Sequence, residues 1–319
     1  MTTSVSRSRR AALAWAIAVA AAIPGVAGLA ATNGKERGAM SDSWVFYTRT
    51  VGSAGTLGGS FTKEAALVRT DSSLPGIPRI GVFRAPMEPG AWDALAGAVR
   101  SLGAARSSGQ HPPGTAMVSI GIMAKGRAEV VHSQAEGAAN PDELAVLAKA
   151  EALVDDTMKR PHQALEGSAE WESPSVAVDD DVRVRVRVGN PGLVPVPFPN
   201  PASAGSPSAL SLVLVRVAPG GEAGESREIE FAPEEISEVG PDGKRSTGPP
   251  EDVVPLAPGK AVHFLARSRL RIAPASYRAS LRISVAAPPG ADERSVSGTI
   301  VVEMPALAVV RPKPQGGTR

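Results

Sequence analysis

Val182-Arg183-Val184-Arg185-Val186-Arg187-Val188, running into the turn Asn190-Pro191-Gly192, is the stretch that decides the fold. Side chains alternate faces along a strand, so a strict period of two describes a strand with one buried and one solvated face. Working outward, further strands are predicted over 209–217, 227–231, 261–272, 277–285 and 295–303, separated by Pro- and Gly-rich turns. Six or seven short strands over roughly 130 residues predict an all-β immunoglobulin-like sandwich over 170–305, with a disordered tail over 306–319.

Val194-Pro195-Val196-Pro197-Phe198-Pro199-Asn200-Pro201 refines this picture. Prolines at every second position remove N–H donors from one edge of a strand, while Val196, Phe198 and Asn200 keep theirs on the other. That pattern predicts an edge strand guarded against further pairing. A polyproline ligand is the rival reading, but no two of these prolines have P-x-x-P spacing.

The order V-R-V-R-V-x-N-P-G-x-x-P-V-x-F, then Leu210 to Val217, Leu256-Ala257-Pro258-Gly259, Phe264 and Leu270 to Tyr277 resembles the BsuPI-type intracellular proteinase inhibitor domain. The resemblance covers nearly half the chain and implies an Ig-like fold and protease inhibition. In this chain Ala275 stands where that family's late P-G-x-Y turn has glycine.

Upstream, 42–166 predicts an α+β domain. Ser43–Thr50 alternates as a strand, with Trp44, Phe46 and Thr48 on one face, and Gly52 to Gly59 reads as a glycine-rich turn. Strands are expected at 61–70 and 79–85. A helix follows on Trp92, Leu95, Val99 and Leu102, with Pro89 at its start and Gly103 at its close. Strands over 116–123 and 127–133 join across Lys125-Gly126. Asn140, Pro141 and Glu143 then spell a capping box opening a second helix, its apolar face on Leu144, Leu147, Val154 and Met158, ended by Pro161. The order β-β-β-α-β-β-α predicts an antiparallel sheet covered on one side by two helices. Tyr47 to Gly55 resembles the R-x-GG-x-AG opening of emfourin-like domains attached to secreted proteases.

The N-terminus predicts export. Ser6 to Arg10 is basic, Ala11 to Ala22 is apolar, Pro24 and Gly25 break the run, and Gly28-Leu29-Ala30 supplies small residues for cleavage. A signal peptide over 1–30 and a flexible lead-in over 31–41 are expected, with an uncleaved anchor as the alternative. Ser8 to Leu13 resembles a twin-arginine motif without its usual Phe and Lys. The expected location is periplasmic or extracellular, with the membrane met only through this segment.

Charge and composition narrow the function. Residues 1–30 carry three arginines and no acid, so their removal takes the net charge from +2 to −1 and the pI of 9.0 gives no ground for nucleic-acid binding. Aromatic residues make up 4% of the chain, too few for surfaces built on base or sugar stacking. There are no cysteines, which excludes disulfides, thiol catalysis and a lipoprotein anchor.

The candidate site is a face of arginines. Arg183, Arg185 and Arg187 oppose the valines, and Arg267, Arg269 and Arg271 alternate with apolar residues on a later strand. In an Ig-like topology these two strands are neighbours, placing six arginines on one outer face, where like charges need an intervening anion. The internal candidate is the acidic run from Glu222 to Asp252; the external one is an anionic polymer held by guanidinium forks. The internal one is the preferred reading. Asp179-Asp180-Asp181 lacks calcium-loop spacing and reads as a solvated turn. His111, His132, His162 and His263 form no H-E-x-x-H, and there is no G-x-S-x-G or Walker loop. No catalytic residue, metal or cofactor is expected. The leading expectation is a non-enzymatic exported protein acting by surface contacts on an envelope protein or anionic polymer. The alternatives are a protease inhibitor and, third, an enzyme with a site near Gly52 to Gly59 or His132.

Overall fold

The computed structural model describes residues 43–311 apart from 51–54, 75, 104–105, 108–114, 126, 219, 247 and 289–294; the signal segment, the lead-in, His111 and Gly126 lie outside the described residues. By contact the chain falls into two compact units, one holding the described residues up to Ser72 with Gly81–His162, the other Ser73–Ile80 with most of the residues from Gln163 onward. Among the described residues the protein is mostly β, with two α-helices in the N-terminal region.

The first unit contains β1 (Ser43–Thr50), β2 (Thr56–Phe61), β3 (Ala65–Thr70), most of β4 (Arg79–Pro86), α1 (Ala91–Ser101), β5 (Arg106–Ser107), β6 (Met117–Ala124), β7 (Arg127–Ala135) and α2 (Pro141–Met158). Its strands lie in the order β4-β3-β2-β1-β6-β7-β5, antiparallel except for the β5–β7 pair. Val45, Tyr47, Phe61, Val68, Phe83, Ile120 and Ile122 are buried with Trp92, Leu95 and Val99 of α1 and Val146, Ala150 and Val154 of α2. The capping box forms: Glu143 N donates to Asn140 Oδ1 at 2.9 Å and Asn140 N to Glu143 Oε2 at 3.0 Å. Leu144, expected on the buried face, is 52% exposed, and Val146 takes that place.

Four strands, not three, precede α1, because the glycine-rich segment is no turn from Thr56 onward. Gly58 and Gly59 lie inside β2, opposite Thr48 and Tyr47. A Cβ on Gly59 would meet the Phe61 ring at 2.8 Å, so glycine there makes room for a core aromatic. Composition predicts a turn; close packing explains the glycine.

The second unit is a β-sandwich. One sheet runs β14 (Ile236–Val239), β16 (Ala261–Arg269), β10 (Asp181–Gly189), β8 (Pro161–Trp171). The other runs β13 (Ala223–Phe231), β12 (Ala209–Val217), β17 (Ala275–Val285), β18 (Gly298–Val310), β9 (Ser175–Ala177). The four valines of β10 are buried with Leu210, Leu212 and Leu214 of β12, Leu281 and Ile283 of β17 and Ile300 of β18. Gly167 of β8 shows how closely the sheets approach, since a Cβ there would meet Ile283, Ile300 and Val302 at 2.8–3.2 Å.

The proline-rich segment supplies β11 (Val196–Pro199), which among the described residues pairs with β15 (Val253–Leu256) alone. Asn200 N donates to Asp252 O at 2.9 Å, on the edge that keeps its donors. Two boundaries move. β18 continues to Val310 with Leu307 and Val309 buried, so the part of the expected tail up to Val310 is sheet. Ser73–Ile80, expected in the α+β domain, belongs to the sandwich: Ser73 N donates to Thr299 O, Val301 N to Ser73 Oγ, and Ile80 is in its core.

Asn190 fixes one end of the sandwich. Its buried amide nitrogen donates to Val194 O and Leu256 O, each at 2.8 Å, and its Oδ1 accepts from Gly192 N at 2.8 Å. Replacing it with alanine strands two carbonyls and an N–H. Asn190→Ala is expected to lower the unfolding free energy by about 3 kcal/mol. Urea denaturation checks this, and the expected signature is a shifted midpoint at unchanged slope.

Candidate functional site

The outer face of the β14-β16-β10-β8 sheet follows from register. β10 buries its valines and exposes Arg183, Arg185 and Arg187. Its neighbour β16 places Arg267 opposite Arg183, Leu265 opposite Arg185 and His263 opposite Arg187, while Arg269 faces Asp181. On the other side, β8 sets Glu170 opposite Arg185 and Ser168 opposite Arg187. β14 sets Ser237 opposite Leu265 and Val239 opposite His263. Two rows therefore cross the sheet: Glu170, Arg185, Leu265, Ser237, and Ser168, Arg187, His263, Val239.

Five of the six expected arginines share this face. Arg271 does not join them, because β16 ends at Arg269; beyond it Arg271 O accepts from Arg227 Nη1 of β13 at 2.7 Å. Among the described residues no carboxylate of the expected neutralising run forms an ion pair with these five arginines. Glu172, just past β8, holds Arg185 at 3.1 Å and Arg183 at 3.5 Å. Asp181, the first residue of β10, accepts from Arg267 Nε at 2.6 Å, and Arg269 Nε donates to Asp179 O at 2.7 Å. Residues of the acidic run bond to other partners: Glu228 to Arg282 and Ser211, Glu235 to Ser268 between Arg267 and Arg269, Glu238 to Asn200 and Asp252 to Ser203. The aspartate triplet serves as the β9–β10 turn, with Asp179 in left-handed backbone at φ 67°. Among the described residues no group of three or more His, Asp or Glu is placed to hold a metal.

Arg187 is the exception. Among the described residues its guanidinium has no ion pair or hydrogen bond, and it lies over Gly189, where a Cβ would sit 3.1 Å from its terminal nitrogens. It lines a cavity of about 320 Å³ with Ser168, Glu170, Glu172, Arg185, His263 and Leu265. Val239 and the turn through Gly240, Pro241 and Gly243 complete the lining. A second cavity of about 280 Å³ lies along Asp181, Glu235, Arg245, Arg267 and Arg269.

The first unit carries a separate polar cluster beneath α2. Tyr47 on β1 donates to Glu151 at 3.0 Å, and burial, then the Glu151 carboxylate, pushes its phenol above the ordinary range. His132 lies in the same cross-strand row, two strands away, with Nδ1 3.6 Å from Glu143 Oε1. Both His132 and Glu143 are buried, and among the described residues neither ring nitrogen of His132 has a hydrogen-bond partner. Glu136, four residues beyond His132, pairs with Arg49. His162 is half-buried on β8.

No family model matches the chain, and no curated protein matches it. Solved structures give distant likenesses to β-rich domains over about half the chain. AvmM, which catalyses macrocyclization in alchivemycin A biosynthesis, is 11% identical at a TM-score of 0.26, covering 48% of this chain and 92% of that one. The sporulation control protein Spo0M of Bacillus subtilis is 12% identical at 0.26, covering 46% and 50%. A CARDB domain from Pyrococcus furiosus, solved with di-metal ions, is 13% identical at 0.20, covering 45% and 90%.

Proposed function

We propose that this chain is an exported, non-enzymatic binding protein of the cell envelope or extracellular space, acting through the outer face of its β14-β16-β10-β8 sheet on anionic groups of its partner. The observation that carries the reading is Arg187. A planar, permanently charged fork left without a counter-ion suits carboxylate or phosphate oxygens. Arg183 and Arg185, sharing the single carboxylate of Glu172, keep unused donors along the same strand. The basic, apolar and small-residue order of 1–30 supports export.

Two outcomes are expected. Expressed in full in a bacterial host, the chain is recovered outside the cytoplasm with a new N-terminus near residue 31, read by N-terminal sequencing; intact protein retained in the cytosol overturns the location. In a pull-down with immobilised polygalacturonate, binding weakens steeply between 50 and 500 mM salt, roughly as the Debye length shortens. Arg187→Glu abolishes binding. Glu172→Gln strengthens it several-fold by releasing Arg183 and Arg185, while changing stability by less than about 1 kcal/mol because the pair is exposed. Binding indifferent to salt and to both substitutions removes the arginine face from the function.

A second reading, protease inhibition, is supported by the BsuPI-like pattern and by one loop. Leu193 is 74% exposed, and the loop that carries it is held by the hydrogen bonds of buried Asn190. A loop fixed before binding loses little entropy when a protease takes it. Stoichiometric protein is then expected to slow at least one secreted protease with an apolar primary pocket, and Leu193→Asp to lose that effect. A broad protease panel left untouched by the wild type rejects the reading.

A further inference from the structure

We propose that the cavity over β8, β10, β16 and β14 is a receptor for a small organic monocarboxylate with an apolar body. This rests on reading the outer face as an anion-binding surface, and it names the ligand the cavity selects. A polymer must compete with Glu172, Asp181 and the Asp179 carbonyl for four of the five arginines, whereas a single carboxylate at Arg187 displaces nothing.

The row through Arg187 supplies the other polar contacts. Ser168 and His263 are its cross-strand partners on either side, at the spacing of roughly 5 Å that sets directly opposed residues within reach of one ligand group. Beyond His263 in that row comes Val239, and Pro241 and, from the neighbouring row, Leu265 add apolar lining. One end of the cavity thus holds an unpaired cation with a hydroxyl and an imidazole, and the other offers aliphatic surface. About 320 Å³ suits a body of a few carbons.

Charge sets the ligand's valence. Glu170 and Glu172 line the same cavity as Arg185 and Arg187, so the formal charges cancel before a ligand arrives. Glu170 has no partner among the described residues and stays as a fixed negative charge beside the entering group. A phosphate dianion or a tricarboxylate meets it and is repelled, while a monocarboxylate matches the guanidinium of Arg187, unpartnered among the described residues.

Isothermal titration of the purified full-length protein with 4-methylpentanoate tests the assignment. Saturable binding is expected at about millimolar affinity, the scale for eight non-hydrogen atoms in an open site. The amide of the same body and acetate each bind about tenfold more weakly, one lacking the charge and the other the apolar body. Citrate does not compete with 4-methylpentanoate for the wild type. Arg187→Gln abolishes carboxylate binding, Leu265→Asn weakens 4-methylpentanoate but leaves acetate unchanged, and Glu170→Gln lets citrate compete. An unchanged urea midpoint shows that each variant is folded. Equal binding of acid and amide, or no saturation by 20 mM, overturns the inference. If polygalacturonate binding survives in that case, the surface reading stands and the cavity assignment alone falls; if both are lost, the face has no role in anion recognition.

Discussion

Four valines of β10 enter the sandwich core, and their burial decides what the opposite face must be. Each buried aliphatic side chain contributes on the order of 1.5–3 kcal/mol, and successive side chains on a strand point to opposite sides. The intervening arginines are therefore fixed on the outside in one row, whatever they do there. A one-residue slip would bring three guanidinium groups inside and the valines out, so the register is fixed strongly. The register in turn aligns Arg183 with Arg267 and Arg187 with His263. Core packing and the candidate site are two sides of one alternation.

That enforced row of charge is relieved locally. Glu172 follows β8 and Asp181 opens β10, so each lies at an end of a strand that already borders the arginines. Side chains at strand ends reach their neighbours without a long loop having to be ordered, which spares conformational entropy. The relief fades with distance from those ends. Arg187 lies four residues further along β10 than Arg183, beyond Glu172, and it is the one left without a partner among the described residues. The open position is a result of geometry along the strand, with no dedicated motif to mark it.

Alternation and turn chemistry make the sandwich legible before any coordinates: the β10–β16 pairing, the edge role of Val196–Pro199 and the capping box at Asn140 all follow from local patterns with a period or a fixed offset. The hidden features depend on distant partners. Thr56 to Gly59 reads as part of a turn because glycine lowers strand propensity, and only Phe61 beside Gly59 explains the residue. The 306–310 stretch follows a proline and reads as the chain's exit, yet it alternates Leu307 and Val309 into the core. In the site, period finds the arginines but does not find Glu172: an isolated glutamate carries no signal, while the crowded acids from Glu222 to Asp252 draw the eye. His132 and Glu143 are eleven positions apart, and nothing in their spacing announces that they meet.

The eight residues Ser73–Ile80 have one more implication. Their partners Thr299 and Val301 lie some 225 positions downstream, so a ribosome releases this piece long before anything exists for it to join. Closing so large a circuit late makes the sandwich a slow, non-local folder. If the proposed export threads the chain unfolded, that delay favours it, since the sandwich stays incomplete until β18 has followed.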